Sequence, residues 1–303
     1  MQTEFPVLGA TVQLDELLKL QTLALDLRRL TPPRSRAQRI GEQRSVYRGQ
    51  GREFIEMKHY QSGDDVRQID WRQTAKKQLP FVRVMEEDRH SEHTIWLDLS
   101  SSSYFGTQGC FKSVMACHWA AFLIWRFLQL KHPLRLFVRV GADWQQELRV
   151  SAQKDGARAC QLLVEAHAYL AGQFRTLEPA PAVSLAHWKN RPNLWFIADF
   201  LQQDIAQLAQ QIPVQAISSL TLLQVLDPFD CQLPSAGLLP VKNPNQSGWI
   251  ASSDGRLQQQ YKDHFKAHND ALERFVWQAN GALFSHRNNQ FHWSEVQSWP
   301  LYH

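Results

Sequence analysis

Short, almost continuously apolar segments alternate with longer segments of helical character along this chain, and this alternation limits the fold more than any other feature. The segments with strand character, most of them apolar, are residues 81–85, 94–99, 134–141, 144–150, 192–200, 219–227 and 281–287. The helical segments are residues 12–30, 108–130, 154–171 and 257–280. Strands that are apolar on both sides need cover on both faces of their sheet, as in parallel sheets flanked by helices. We therefore predict an α/β fold with a doubly wound, mostly parallel sheet.

The first third of the chain has a different character. Its helical segment ends at the prolines in positions 32 and 33, because proline cannot continue a helix. Residues 28–58 contain nine Lys or Arg and three Glu, with no long apolar period. We therefore place a boundary at residue 90. Residues 1–90 are predicted to form an N-terminal elaboration of helix, loops and short strands, and residues 91–303 to form the α/β domain.

The composition argues against several classes of protein. With 303 residues, 44% of them hydrophobic, the chain is long enough to bury a sizeable core. The four cysteines lack C-x-x-C spacing, which argues against a disulfide framework or a structural zinc site. The net charge of +4 is mild and no nucleic-acid recognition motif is present, so we predict no nucleic-acid partner. The glycine-rich loops that bind nucleotides are also missing from the sequence.

The sequence shows no signal peptide. The most membrane-like segment, residues 113–130, is interrupted by His118 and Arg126, and its apolar stretch is too short to span about 30 Å of hydrocarbon. We expect a buried helix here. We also expect a cytoplasmic protein without a transmembrane segment, and leave peripheral association with a membrane open.

Four serines follow the predicted strand 94–99, in the stretch HTIWLDLSSSSYFG. Asp98 lies at the end of this strand and Asp199 at the end of the strand 192–200, and ligands collect beyond the carboxyl ends of parallel strands. Asp98, Ser100 and Ser102 can share one ion only if the chain curls after the strand, since four extended residues span about 13 Å. Carboxylate and hydroxyl oxygens suit Mg²⁺, with Mn²⁺ or Ca²⁺ as substitutes. The alternative is that Asp98 caps the next helix and the serines form a solvated turn.

The Asp-x-Ser-x-Ser motif, the long apolar helix after it and a later strand that ends in Asp resemble a von Willebrand factor A-type domain. The metal-ion-dependent adhesion site of that family uses this signature. The resemblance implies that Asp98, Ser100 and Ser102 form the first metal-binding loop and that Asp199 belongs to the third. The second loop supplies a threonine in that family. Thr176 is the first candidate for it here, and Ser184 is the second.

Residues 49–83 resemble the hallmark of the bacterial domain-of-unknown-function 58 family, and residues 225–237 also match that family. The matching positions are Gly49, Gly51, Glu53, Phe54, Tyr60, Gly63, Asp64, Asp65, Arg67, Ile69, Asp70 and Trp71. Lys58 stands where the family usually has arginine, which keeps the charge but loses the guanidinium fork. The resemblance implies a von Willebrand A-like domain and work beside MoxR-type AAA+ ATPases and other von Willebrand A-domain proteins.

The segment SGDDVRQIDW places three acids, Asp64, Asp65 and Asp70, around Arg67. With Glu53 and Trp71 these residues form either a structural ion-pair network or a docking surface for a partner. Buried ion pairs can fix one arrangement of the chain without adding much stability. No activated nucleophile lies near them in the sequence, so we expect no catalysis there.

Together these features predict a non-enzymatic interaction protein. It would act as a chaperone-like adaptor with an adhesion-type Mg²⁺ site, beside a MoxR-type AAA+ ATPase, in the assembly or activation of protein complexes. The alternative is a metal-dependent hydrolase that uses the same acids to activate water.

Overall fold

The computed structural model describes residues 5–26, 48–49, 53–60, 69, 71, 74, 79–86, 92–178, 191–212, 214–242 and 247–301. The chain divides into two compact units. The first comprises Met1–Thr31 and Ser91–His303, and the second comprises Pro32–His90.

The regular elements of the described residues are numbered along the chain. The helices are α1 (Leu14–Asp26), α2 (Lys112–Gln129), α3 (Gln153–Gln173), α4 (Ile205–Gln211), α5 (Pro228–Cys231) and α6 (Gly255–Gln278), with 3₁₀ turns at Ser101–Ser103, Val214–Ala216 and Trp293–Ser298. The strands are β1 (Arg48–Gly49), β2 (Glu53–His59), β3 (Phe81–Glu86), β4 (His93–Leu99), β5 (Leu134–Val140), β6 (Trp144–Val150), β7 (Asn193–Ala198), β8 (Ser219–Leu226), β9 (Leu238–Lys242), β10 (Ser247–Ala251) and β11 (Ala282–Arg287).

The larger unit is built on a six-stranded sheet in the order β11-β8-β7-β4-β5-β6. All neighbouring pairs are parallel except β5 and β6. The prediction of a mostly parallel sheet is therefore confirmed. Successive connections run from β4 to β5 and β6 on one side, and then return to β7 on the other side of β4. In such sheets the crevice for ligands lies where the direction reverses, which here is the carboxyl end of β4 and β7.

Helices pack on both faces of this sheet. On one face, α2 is buried along almost its whole length and is surrounded by α1, α3 and the sheet. On the other face, α6 buries only Leu272, Phe275 and Val276, which is the narrow apolar stripe of a surface helix. Helix α4 adds Leu208 to the same second core. The continuous apolar character of β4, β7 and β8 follows from this double cover.

Helix α1 packs on the larger unit. Its buried residues, Leu17, Leu20, Leu23 and Ala24, recur at helical spacing and join the core that α2 and α3 build. Trp125 on α2 donates a hydrogen bond to the Leu17 carbonyl at 2.9 Å. The division at residue 90 assigned this helix to the N-terminal elaboration. In the structure it groups with the α/β unit, because its apolar stripe needs cover that α2 provides.

The smaller unit contains a three-stranded antiparallel sheet in the order β1-β3-β2, with a bulge between Phe54 and Glu56. In the larger unit, β9 and β10 form a separate antiparallel hairpin. None of the helices in the described part of the chain combines the length and hydrophobicity that a membrane span requires.

Candidate functional site

The two predicted acids lie at the same edge of the large sheet. Asp98 is the penultimate residue of β4, and Asp199 follows β7 directly. Because β4 and β7 are adjacent parallel strands, both carboxylates project at the crevice where the strand order reverses. A small cleft of about 140 Å³ opens beside Asp98. Its polar walls include Arg139, Glu178, Gln203, Asp204 and Gln207.

The serine run turns back immediately after β4. Ser101–Ser103 forms one 3₁₀ turn, closed by the Ser103 hydroxyl, which donates to the Ser100 carbonyl at 2.6 Å. The Ser102 hydroxyl donates to Asp199 Oδ2 at 2.6 Å. Since that uses its proton, Ser102 accepts from the Ser100 hydroxyl at 2.8 Å. The run is therefore a structured turn that links the loop after β4 to Asp199.

Asp98 forms an ion pair with Arg139, its partner in the register of β4 and β5. Arg139 Nε lies 3.2 Å from Asp98 Oδ1, and Nη2 lies 2.5 Å from Oδ2. Both residues are only 5% exposed. Gln203 Nε2 donates a further bond to Asp98 Oδ2 at 3.0 Å. Both oxygens of Asp98 are thus engaged, in the two-pronged geometry that makes Arg–carboxylate pairs specific.

Asp199 forms an ion pair with Lys112, the first residue of α2. Lys112 Nζ lies 3.0 Å from Asp199 Oδ2 and 2.9 Å from Asp230 Oδ2, and the lysine is 1% exposed. Burial lowers the pKa of Lys112, but the attraction of Asp199 and Asp230 outweighs it, so that the pKa is raised. The lysine therefore stays charged at neutral pH. Burial raises the pKa of Asp230, although Lys112 opposes this.

A fourth acid, Asp227, fixes the loop between the serine turn and α2. It is fully buried and accepts hydrogen bonds from the Thr107 amide at 2.7 Å and the Thr107 hydroxyl at 2.6 Å. Asn288 Nδ2 and the Phe229 amide are its other donors. Burial raises the pKa of Asp227, but these bonds outweigh it and hold the pKa below the ordinary value. Asp227 therefore positions the loop that carries Lys112 to the site.

Thr176 makes its hydrogen bonds away from this cluster. It is exposed in the turn after α3, and its hydroxyl donates to the Gln173 carbonyl at 3.2 Å, at the end of its own helix. The structure therefore does not bring Thr176 together with Asp98, Ser100, Ser102 and Asp199. Its neighbour Glu178 lines the cleft instead. Ser184, the second candidate, lies outside the described residues.

Thr176→Ala should leave the protein nearly unchanged, because the lost hydrogen bond is local and exposed. We expect the free energy of unfolding to change by no more than about 0.5 kcal/mol, as is usual for surface positions. Urea denaturation followed by circular dichroism measures this. A loss of several times that size would show that Thr176 supports the site.

The N-terminal signature falls mostly outside the described residues. Asp64, Asp65, Arg67 and Asp70 are not described, and Glu53 is placed only by its backbone in β2. Trp71 is 67% exposed. The choice between an ion-pair network and a docking surface therefore stays open.

The side chains at the sheet edge do not fit a divalent ion in this arrangement. Mg²⁺ takes oxygen ligands in near-octahedral geometry at about 2.1 Å, whereas Asp98 and Asp199 are each bound to a buried cation. No three Asp, Glu, His or Cys side chains of the described residues are grouped closely enough to hold a metal. An ion would have to displace Arg139 or Lys112. The predicted Mg²⁺ site stays a prediction, and this geometry argues against it.

Sequence reasoning missed Lys112, Arg139 and Asp230. A signal for Lys112 exists, because it is a single lysine at the start of a helix that is otherwise almost entirely apolar. A long apolar helix buries whatever charge it contains, and a buried lysine needs acidic partners.

Comparison with known proteins gives a family and several relatives. The sequence model of a family described as "Protein of unknown function DUF58" matches residues 56–271. Uncharacterized proteins of Mycobacterium bovis and Mycobacterium tuberculosis are 29% identical over 261 residues, covering 82% of this chain and 79% of theirs. A conserved hypothetical protein, BatB from Bacteroides thetaiotaomicron, is similar with a TM-score of 0.33 and 13% identity, over 68% of this chain and 93% of that one. An aerotolerance-related membrane protein from Bacteroides fragilis gives a TM-score of 0.34 and 13% identity, over 68% and 94%.

Proposed function

The chain belongs to the DUF58 family of proteins of unknown function, and we propose that it is a non-enzymatic adaptor that binds another protein at the carboxyl edge of its large sheet. The fold we propose for the larger unit is von Willebrand A-like, of the Rossmann type. Two features support this. Numbered along the chain from β4, the strands lie in the order 3-2-1-4-5-6, an order of doubly wound sheets. The Asp-x-Ser-x-Ser turn follows the first of these strands.

The observation that carries the proposal is the size and place of the cleft. It opens at the crevice where doubly wound sheets bind ligands. At about 140 Å³ it is smaller than sites for cofactors and small substrates, which measure roughly 300–1,000 Å³. A cleft of this size fits one side chain of a partner. Its polar walls, with Glu178, Gln203 and Gln207, would fix the orientation of that side chain.

The state of the polar groups favours binding over catalysis. The carboxylates of Asp98 and Asp199 are each bound to a buried cation, so their oxygens are already engaged and neither is free to hold an attacking water. The hydroxyls of Ser100 and Ser102 form a chain that ends on Asp199, not on an imidazole that would activate them as nucleophiles. These contacts support an adaptor over the hydrolase alternative.

The partner we propose is a MoxR-type AAA+ ATPase, together with other von Willebrand A-domain proteins, in the assembly or activation of protein complexes. This part of the proposal rests on the family resemblance. We propose that the partner binds at the cleft, so substitutions of residues that line the cleft test the proposal.

Gln207→Trp should weaken binding to a MoxR-type ATPase of the same organism by at least about tenfold, since a bulky side chain would fill the cleft; tenfold corresponds to about 1.4 kcal/mol. Gln207 is exposed and lines the cleft, so the variant should fold normally. Biolayer interferometry with the immobilised ATPase measures the affinity.

The matched control is Gln210→Trp, an exposed glutamine on the same helix, α4, that does not line the cleft. It should bind like the wild type. Equal affinity of both variants and wild type would place the contact elsewhere. A wild-type protein that does not bind the ATPase at all would contradict the choice of partner.

A further inference from the structure

The acidic edge of the sheet contains two buried, positively charged side chains where the sequence motif predicts a metal ion. Asp98, Asp199 and Asp230 supply three carboxylates, and Lys112 and Arg139 supply two positive charges. We infer that Lys112 and Arg139 replace the divalent ion at this edge, so that the loops of the site are held together without metal. The inference concerns the same edge as the proposed function but does not depend on any partner.

The ammonium group of Lys112 joins the segments that a metal would join. Lys112 begins α2, Asp199 follows β7, and Asp230 lies in α5 after β8. The Ser102 hydroxyl donates to the same oxygen of Asp199, Oδ2, that accepts from Lys112. An ammonium has three donors and no acceptor, so it can bridge two carboxylates as a cation does. Lys112 thereby ties the loops after three strands of the sheet to one point.

Because Lys112 is buried, its ammonium group requires the two carboxylates beside it. Lys112 is 1% exposed, and a buried ammonium without counter-charges would be strongly unfavourable. The distances of 3.0 Å to Asp199 and 2.9 Å to Asp230 are those of charge-assisted hydrogen bonds. A divalent ion beside Lys112 would add like-charge repulsion in a poorly screened interior.

Arg139 does the same for the first acid of the motif. It binds both oxygens of Asp98 from the neighbouring strand, and the planar guanidinium fork matches a carboxylate better than a single ammonium does. A metal could reach Asp98 only by breaking this buried pair. The two cations leave the three carboxylates with an excess of one negative charge, where without Lys112 and Arg139 the excess would be three.

Metal binding by the wild-type protein gives the first test. With Mn²⁺ as the probe, electron paramagnetic resonance should show no stoichiometric binding, and neither EDTA nor 10 mM Mg²⁺ should shift the melting temperature. Stoichiometric Mn²⁺ binding that is lost in Asp199→Asn would overturn the inference. That result would leave the adaptor proposal intact, just as a failed ATPase-binding experiment would leave this inference intact.

Lys112→Ala gives the second test, because it opens the space of the lysine and leaves Asp199 and Asp230 without a cation. We expect the variant to melt lower than wild type and to acquire a metal requirement. Mg²⁺, Mn²⁺ or Ca²⁺ at a hundredfold excess over the dissociation constant should raise its melting temperature by roughly 5–10 °C. If the variant is unfolded without metal, adding metal should refold it.

Lys112→Met is the matched control, since it removes the same charge but fills the space, and it should gain nothing from metal. Asp199→Asn in the Lys112→Ala background should abolish the metal effect. A Lys112→Ala protein that neither binds nor is stabilised or refolded by any of the three ions would contradict the substitution of a metal by lysine. Equal stabilisation of the alanine and methionine variants would also contradict it.

Discussion

Replacing Arg139 with leucine should lower the free energy of unfolding by roughly 3–5 kcal/mol, the range for breaking one partner out of a buried ion pair. The physical reason is the carboxylate that remains. Asp98 is 5% exposed, and without Arg139 its only other side-chain contact among the described hydrogen bonds is Gln203. Urea denaturation at pH 7 measures the loss.

A second arginine on the same strand provides the control. Arg135 also bonds carboxylates, Glu147 at 2.6 Å and Glu92 at 3.3 Å, but Arg135 and Glu147 are 30% and 50% exposed. Glu92 has a second cation, Arg149, 3.9 Å away, so Arg135→Leu leaves no carboxylate buried without a partner. Exposed pairs contribute about 0–1 kcal/mol, so Arg135→Leu should cost no more than about 1 kcal/mol. Equal losses for the two variants would show that the Asp98–Arg139 pair is effectively solvated.

The double variant Asp98→Leu, Arg139→Leu separates the cost of the unpaired charge from the value of the pair. Replacing both members of a buried ion pair by apolar residues is often neutral or stabilising. We expect the double variant to recover most of the stability that Arg139→Leu loses. A double variant as unstable as Arg139→Leu would mean that the pair stabilises the fold in its own right.

The fold class could be predicted because a strand that is buried on both faces of its sheet is apolar at nearly every position. Strands β4, β7 and β8 are buried at nearly every position, and only a sheet covered on both faces produces such runs. The antiparallel direction of β6 was not predicted, although the sequence contains its signal. Only residues 141–143 separate β5 from β6, and a parallel crossover needs a dozen or more.

Elements with little apolar surface were harder to predict. Among its described side chains, the hairpin of β9 and β10 exposes Leu238 and Trp249, and no alternation of apolar and polar residues marks it. Helix α4 is short and contributes one buried leucine, Leu208, to the core. Its clearest signal is Asp204, which caps its first turn by accepting from the Ala206 amide, a preferred role for aspartate.

The site could be predicted only in part, because the sequence places acids at strand ends but does not give their partners. Asp98 and Asp199 end apolar strands, and parallel strands bring their ends together. The partner of Asp98 depends on the register of β4 and β5, which sets Arg139 opposite it. Nothing in the local pattern of β5 distinguishes Arg139 from the half-exposed Arg135. The threonine assigned by analogy was not brought to the cluster, since the turn after α3 directs Thr176 toward its own helix.

Three buried histidines should make the protein sensitive to acid. Burial lowers the pKa of His93, His118 and His167 to about 4 each, with His132 contributing at His93 and His118 at His167. Each ring lies among the elements around α2. His93 stacks on Phe127 with ring centroids 4.0 Å apart, and His118 Nδ1 bonds the Val114 carbonyl at 2.8 Å.

The direction of the pH effect follows from the lowered pKa. In the unfolded chain these histidines have a pKa of about 6.5. Between the two pKa values the unfolded state therefore binds more protons than the folded state. Their contribution to stability is therefore complete above pH 6.5 and is lost as the pH falls toward 4. A shift of this size corresponds to about 3 kcal/mol for each histidine. Urea unfolding at several pH values between 7 and 4.5 should show a steep fall in the free energy of unfolding.

His118→Leu should flatten this pH dependence, whatever its effect on stability at pH 7. Leucine suits the fully buried position and cannot bind the proton that costs stability. Glu16 Oε2 lies 3.5 Å from His118 Nε2, and burial raises the pKa of this half-exposed carboxyl. The control is His264→Leu at an exposed position of α6, which should leave the pH profile as in wild type. An unchanged profile in His118→Leu would show that acid acts through other groups. Asp227 would not be one of them, because its lowered pKa removes stability only as the pH falls below about 4.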